Sequence, residues 1–106
     1  MNLFSRKSIV DWVEEARLNG GLLIDVRTPE EYRSGHIPGS VNLPLNHITL
    51  IESVASGQSA PLYVYCLSGG RSARACSLLS RMGYKKVQNI GGILSWRGEI
   101  EKGEPA

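Results

Sequence analysis

Only two cysteines, Cys66 and Cys76, and two histidines, His36 and His47, occur in the 106 residues. Two thiols are too few for a disulfide framework, and no spacing among these four residues resembles a zinc site, so no metal is expected. No apolar run of about 18 residues is present that would read as a membrane span. The start, Met1-Asn2-Leu3-Phe4-Ser5-Arg6-Lys7, lacks the apolar segment of a signal peptide. The expected setting is therefore the cytoplasm, with no membrane partner. An excess of charge is missing too: the formal net charge is +2, which by itself argues neither for nor against nucleic acid, and no nucleic-acid partner is expected. There is no internal repeat, linker or low-complexity stretch. What remains is an ordinary globular composition, 42% hydrophobic and 21% charged, of a length that allows one core. We expect a single domain over residues 1–106 with its core at about 5–99.

Hydrophobic spacing and turn chemistry give the order of elements. Ser8 caps a helix over Ile9 to Leu18, with Ile9, Val13 and Ala16 on its inner face, ended by Asn19-Gly20-Gly21. A buried strand follows at Leu22 to Val26. Thr28-Pro29-Glu30-Glu31 is a capping-box start with proline at the first helical position, and Gly35 stops that short helix. Val41 to Leu43 is expected as a second strand and His47 to Ala55 as a helix. Pro61 introduces a strand at Leu62 to Tyr65. The next helix presents Ala75, Leu78, Leu79 and Met82 on one face and ends at Gly83. Val87 to Ile90 is the last strand, Gly91-Gly92 leads to a helical turn around Trp96, and Glu101 to Ala106 reads as a frayed tail. Strands alternating with helices predict an α/β fold with a mostly parallel sheet, whose strand carboxyl ends share one ligand-binding edge. Asp25, Arg27 and Cys66 all fall at that edge.

The loop Cys66-Leu67-Ser68-Gly69-Gly70-Arg71 joins a buried strand to a helix beginning near Ser72. A free cysteine titrates near 8.5, so about 3% is thiolate at pH 7. A helix amino terminus supplies roughly half a positive charge and unpaired N–H groups, and lowering the midpoint by about two units would make the thiolate the major form. No general base is needed. Gly69 and Gly70 allow successive N–H groups to converge, since glycine adopts positive φ without penalty; Gly70 is expected at such a φ. No loop residue is proline, so Leu67 through Ser72 can all donate. Arg71 can face an anion or brace the loop.

These residues, with Leu23-Ile24-Asp25-Val26-Arg27, Glu31-Tyr32, Gly35 through Asn42, and Gly91-Gly92 with Trp96, together resemble the single-domain rhodanese family over nearly the whole chain. The resemblance implies a sheet of about five mostly parallel strands flanked by helices, and a thiosulfate sulfurtransferase-like activity. Cys66 would be the catalytic nucleophile, taking sulfane sulfur from a donor such as thiosulfate as a covalent persulfide, with no separate cofactor. It would pass the sulfur to cyanide, a thiol, or a sulfur-relay or thiol-redox protein. Two alternatives stand beside it. One is a non-catalytic module that binds an anion or partner. The other is an arsenate or phosphate-ester enzyme, disfavoured because relatives with that chemistry have one more residue between cysteine and arginine.

Asp25 is expected as a support that accepts backbone N–H groups or pairs with an arginine, since a carboxylate beside a thiolate would raise its midpoint. Arg27 is divided between drawing in anionic donors and bracing the fold. Glu31 is read mainly as a capping residue. His36 is read as structural, because thiolate attack on sulfur asks for no proton. Cys76, ten residues and about 15 Å along one helix from Cys66, lies beyond disulfide reach and belongs with the apolar side. Trp12 and Trp96 are expected at the core or its edge. Arg71, Arg74 and Arg81 give their helix a basic side.

Overall fold

The computed structural model describes residues 7–104. The expected core boundary at residue 5, and Pro105 and Ala106, lie outside the described residues. Helix α1 (Ile9–Asn19) opens with a reciprocal capping box between Ser8 and Asp11 and stops at Gly20, whose φ of +74° is one that glycine adopts freely. Strand β1 (Leu22–Asp25) leads to α2 (Pro29–Ser34), begun by the predicted box of Thr28 and Glu31 with Pro29 in its first turn. Strand β2 is only Val41–Asn42. Strand β3 (Leu62–Cys66) is buried throughout, α3 spans Gly70–Arg81, and β4 spans Val87–Gly92.

Among the described residues the sheet has four strands, close to the expected five, in the order β2-β1-β3-β4, and every pairing is parallel. Residues 47–55 form no α-helix. Leu45–Ser53 is instead 3₁₀ structure interrupted by non-helical backbone at His47 and Leu50, in a stretch where β-branched Ile48, Thr49 and Ile51 weaken helix propensity. The final turn is likewise 3₁₀, at Ile93–Ser95, with Trp96 already extended.

The sheet carries an apolar layer on each face. Ile24, Val26, Leu62 and Val64 pack with Ala75 and Leu79 of α3 and with Ile48, Ile51 and Ala55, while Leu23, Tyr63, Tyr65 and Ile90 pack with Ile9, Val13 and Ala16 of α1. Burying an aliphatic side chain of this size stabilises the fold by about 1.5–3 kcal/mol. Leu78 departs from the predicted inner face: it is 39% exposed, while Met82 packs at the core edge. The tail is not frayed as far as Glu104. Glu101 forms an antiparallel bridge with His36 through two 2.9 Å backbone hydrogen bonds, the Gly103 N–H donates to Arg33, and Glu104 pairs with the Arg33 side chain. Contacts at long sequence separation hold it. No helix among the described residues is long and apolar enough to cross a membrane.

Candidate active site

Alternation along β3 sends Tyr63 and Tyr65 toward α1 and Leu62, Val64 and Cys66 toward α3. Cys66, the last residue of β3, therefore points its sulfur at the amino terminus of α3. That terminus begins after Gly69, which has no side chain with which to cap it. The sulfur takes the capping role. The Gly69 N–H donates to Sγ at 3.0 Å and the Ser72 N–H at 3.3 Å, and the Ser72 hydroxyl lies 3.3 Å away. Burial, with Cys66 only 1% exposed, pushes the thiol midpoint up. Hydrogen bonds from the Ser72 hydroxyl and from the amides of Ser72, Gly69 and Ser68 outweigh it and leave the midpoint below its ordinary value. Cys76 shows burial without such donors: half-buried at the core edge, its thiol is pushed up to about 11.

The positive φ sits one residue earlier than expected. Gly69 has φ +115°, whereas Gly70 is the first residue of α3, outside the positive-φ set, with nothing near the position of an added Cβ. The reversal that aims the Gly69 N–H back at sulfur has to precede the helix, and Gly70 already has helical backbone. The exposed part of the loop is Leu67, Ser68 and Gly70.

Arg71 leaves the loop sideways. Its guanidinium makes a two-pronged pair with Glu31, at 2.7 and 3.1 Å, while Glu31 still accepts from the Thr28 N–H and hydroxyl in the α2 cap. The Arg71 pair, ahead of the Thr28 bonds, holds the Glu31 carboxyl down at about 2. Glu31 thus does more than cap: it ties α2 to the loop.

Asp25 and Arg27 form a buried unit. Arg27 Nε lies 3.0 and 3.1 Å from the two Asp25 oxygens, and Nη2 reaches Oδ2 and the Gly35 carbonyl, each at 2.7 Å. Asp25 also accepts the Arg27 N–H. Neither side chain hydrogen-bonds the cysteine loop among the described residues. His36 is fully buried, stacked on Tyr32 at 3.6 Å, and its Nδ1 donates to the Tyr32 carbonyl at 2.7 Å. Trp12 and Trp96 lie at the edge of the α1-side core.

Sequence reasoning missed what stands behind the loop. β3 and β4 slip register between Val64 and Tyr65, so that Asn89 opposes Val64, Gly91 opposes Tyr65 and Ile90 is passed over. Bulges of this kind re-aim side chains. Asn89 Oδ1 accepts from the Ser72 hydroxyl at 2.7 Å and the Gly91 N–H at 3.0 Å, and its Nδ2 donates to the Gly69 carbonyl at 3.3 Å. Gly92 lies against the loop backbone: an added Cβ would come 2.5 Å from the Leu67 carbonyl carbon and from Ser68 Cα. The available signal was Asn89 two residues after Val87, hence on the same face, toward α3.

Fold and loop together define a small α/β domain that holds a cysteine sulfur in a cradle of anion donors at the carboxyl edge of a parallel sheet. Comparison with known proteins gives the family. The Rhodanese-like domain profile matches residues 9–99, and the chain belongs to that family. It is 41% identical over 76 residues to a sulfurtransferase of Allochromatium vinosum, covering 71% of this chain and 70% of that one. It is 39% identical over 71 residues to the thiosulfate sulfurtransferase PspE of Escherichia coli, covering 66% and 68%. Among solved structures, a rhodanese with anions from E. coli superposes with a TM-score of 0.74 at 36% identity, over 78% of this chain and 99% of that one.

Proposed function

We propose that the domain is a sulfurtransferase that carries sulfane sulfur as a persulfide on Cys66. The observation that supports this most is the Cys66 sulfur acting as the cap of α3, under the N–H groups of Gly69 and Ser72. The thiolate attacks the outer sulfur of a donor such as thiosulfate. The donor S–S bond breaks and its electron pair leaves with sulfite, so the charge on Cys66 moves out to the new terminal sulfur. The first-turn amides at Gly70 and Arg71, which have no intrahelical acceptor, are placed to meet that charge. An acceptor, whether cyanide, a thiol or the cysteine of a sulfur-relay or thiol-redox protein, then takes the outer sulfur and returns the electron pair to Sγ. No step needs a metal or a separate cofactor. We assign the work to the cytoplasm, where thiols are kept reduced.

Asp25 and Arg27 serve by holding the β1 end beside Tyr65, and Arg71 by bracing the loop through Glu31. Four residues between Cys66 and Arg71 make a tight ring that suits a terminal sulfur better than a tetrahedral phosphoryl group.

The test combines thiosulfate and cyanide, follows thiocyanate, and weighs the protein for one added sulfur atom. Wild type is expected to give both signals and Cys66→Ser neither. Absence of both in wild type would point to an anion- or partner-binding module, and cleavage of a chromogenic phosphate ester would point to the hydrolytic chemistry.

A further inference from the structure

Beside the cysteine loop lies a hollow of about 430 Å³ that the sulfur-loading step does not use. Its walls are largely apolar, from Val26, Pro44 and Leu45, and the first turns of α3 contribute Arg71 and Arg74. It adjoins the cysteine loop and its strand in two ways. Arg71 belongs to both loop and hollow, and the Val26 N–H is hydrogen-bonded to the carbonyl of Tyr65, the residue before Cys66. Its volume lies within the range of small-molecule sites and is far below what a folded partner needs.

The two arginines differ in what they have left to offer. Arg71 is held by Glu31. Arg74, three residues on and therefore on the same side of the helix, forms no salt bridge among the described residues, and no carboxylate lines the hollow. An apolar wall ending in an unpaired guanidinium fits a short hydrocarbon stem ending in an anion.

We propose that this hollow is the acceptor subsite and that Arg74 selects small thiols carrying a carboxylate or comparable anion. The inference rests on the sulfurtransferase reading above and adds the acceptor class to it. The acceptor stem lies on Val26, Pro44 and Leu45 with its anion at Arg74, which leaves its sulfur facing the loop. The acceptor thiolate attacks the outer sulfur of the Cys66 persulfide and forms a new S–S bond. The bond from Sγ to that sulfur breaks, and its electron pair returns to Sγ, restoring the cradled thiolate. The acceptor leaves as a persulfide, and the sulfane sulfur keeps its oxidation level throughout.

The experiment loads the full chain with thiosulfate, confirms the added sulfur by mass, and measures discharge by 3-mercaptopropionate, 3-mercaptopropanol and 3-aminopropanethiol. Rates are compared per thiolate, so that differing thiol acidities do not enter. The carboxylate thiol is expected to have kcat/KM about fivefold above the neutral one, the size an exposed ion pair can supply, with the ammonium thiol lowest. The preference should shrink in salt. Arg74→Ala should remove it and Arg74→Glu reverse it, whereas Arg81→Ala, at the far end of α3, should leave it intact. Equal rates for the three thiols on loaded wild type would overturn the acceptor assignment while leaving the sulfurtransferase reading in place. Equal effects of Arg74→Ala and Arg81→Ala would also overturn it, by showing a diffuse field. Failure of Cys66 to take up sulfur at all would overturn both readings, and the mass measurement identifies that case.

Discussion

Replacing Ser72 by alanine tests whether side-chain chemistry adds to the backbone cradle around Cys66. The variant removes a hydroxyl 3.3 Å from the sulfur and leaves the Gly69 and Ser72 N–H groups in place. A hydrogen bond to a charged group contributes about 1.5–3 kcal/mol. The Ser72 hydroxyl has one proton, and Asn89 Oδ1 at 2.7 Å and the Gly69 carbonyl at 3.0 Å compete for it, so the lower end of that range applies. About 1.4 kcal/mol is one unit of midpoint. Ultraviolet absorbance of the thiolate, followed against pH, should therefore show the Cys66 step about one unit higher in Ser72→Ala, clear of Cys76 at about 11. Ser72→Thr, which keeps the hydroxyl, should restore it. Below the midpoint a tenfold loss of thiolate is partly offset by the greater reactivity of a more basic sulfur. With a Brønsted coefficient of about 0.4–0.5, sulfur loading should slow by roughly threefold. A midpoint that stays put or falls in a variant of unchanged melting temperature would refute the reasoning. It would mean that Ser72 donates permanently to Asn89 and that the amides alone hold the charge.

Gly69→Ala forces an L-residue to φ +115° and should cost at least about 1–2 kcal/mol along with most of the sulfur loading. Gly70→Ala, in helical backbone with open space around it, should be neutral or stabilise by about 0.4–1 kcal/mol in denaturant titration; equal costs at the two sites would place the reversal elsewhere. Gly92→Ala drives a methyl into the Leu67 and Ser68 backbone and should destabilise by about 1–3 kcal/mol. Loading should be lost even well below its melting temperature, and a fully active Gly92→Ala protein would contradict the close approach. The Glu31 carboxyl, held at about 2 against an ordinary 4.5, contributes stability that is present above about 4.5 and lost as pH falls toward 2. The pair is one-third exposed and worth about 1 kcal/mol or less, so the small advantage of wild type over Glu31→Gln should fade across that window; an advantage independent of pH would contradict the linkage.

Much of the scaffold was legible because its signals are local. Ser8 and Thr28 announce their helices by the oxygen they offer to an N–H three residues on, and Leu62 to Tyr65 announces a buried strand by its unbroken apolar run. The position of Cys66 was legible for the same reason, at the junction of a strand and a glycine-rich helix start. The failures have several causes. Glu31 grips Arg71 across 40 residues and His36 faces Glu101 across 65, so local signals show neither the held tail nor the second role of Glu31. The Asn89 network depends on a register slip between β3 and β4 that no periodicity records. The positive φ falls on Gly69 and not on the expected Gly70, because composition shows that a reversal is needed nearby but not at which residue the helix begins.

A sulfur that caps a helix couples its own ionisation to folding, and that coupling has a measurable sign. The folded Cys66 midpoint lies below its ordinary value, because donors from Ser72, Gly69 and Ser68 outweigh burial. A depressed midpoint contributes stability that is fully present above the unfolded value and is lost as pH falls through the folded one. Cys76 works in the opposite direction. Raised to about 11, it contributes stability present below about 9 that is lost as pH climbs toward 11. Denaturant titrations in a Cys76→Ala background should therefore show the advantage of Cys66 over Cys66→Ala growing from neutral pH to about 9 and then levelling. In the wild-type background the protein should weaken again beyond 9. Persulfide formation carries the charge one atom away from Sγ, so the loaded protein should lose part of that pH-dependent gain. An advantage that shrinks between neutral pH and 9 would mean that the sulfur is held as a buried thiol, with burial outweighing the donors, and the α3 amides would then be capping nothing charged.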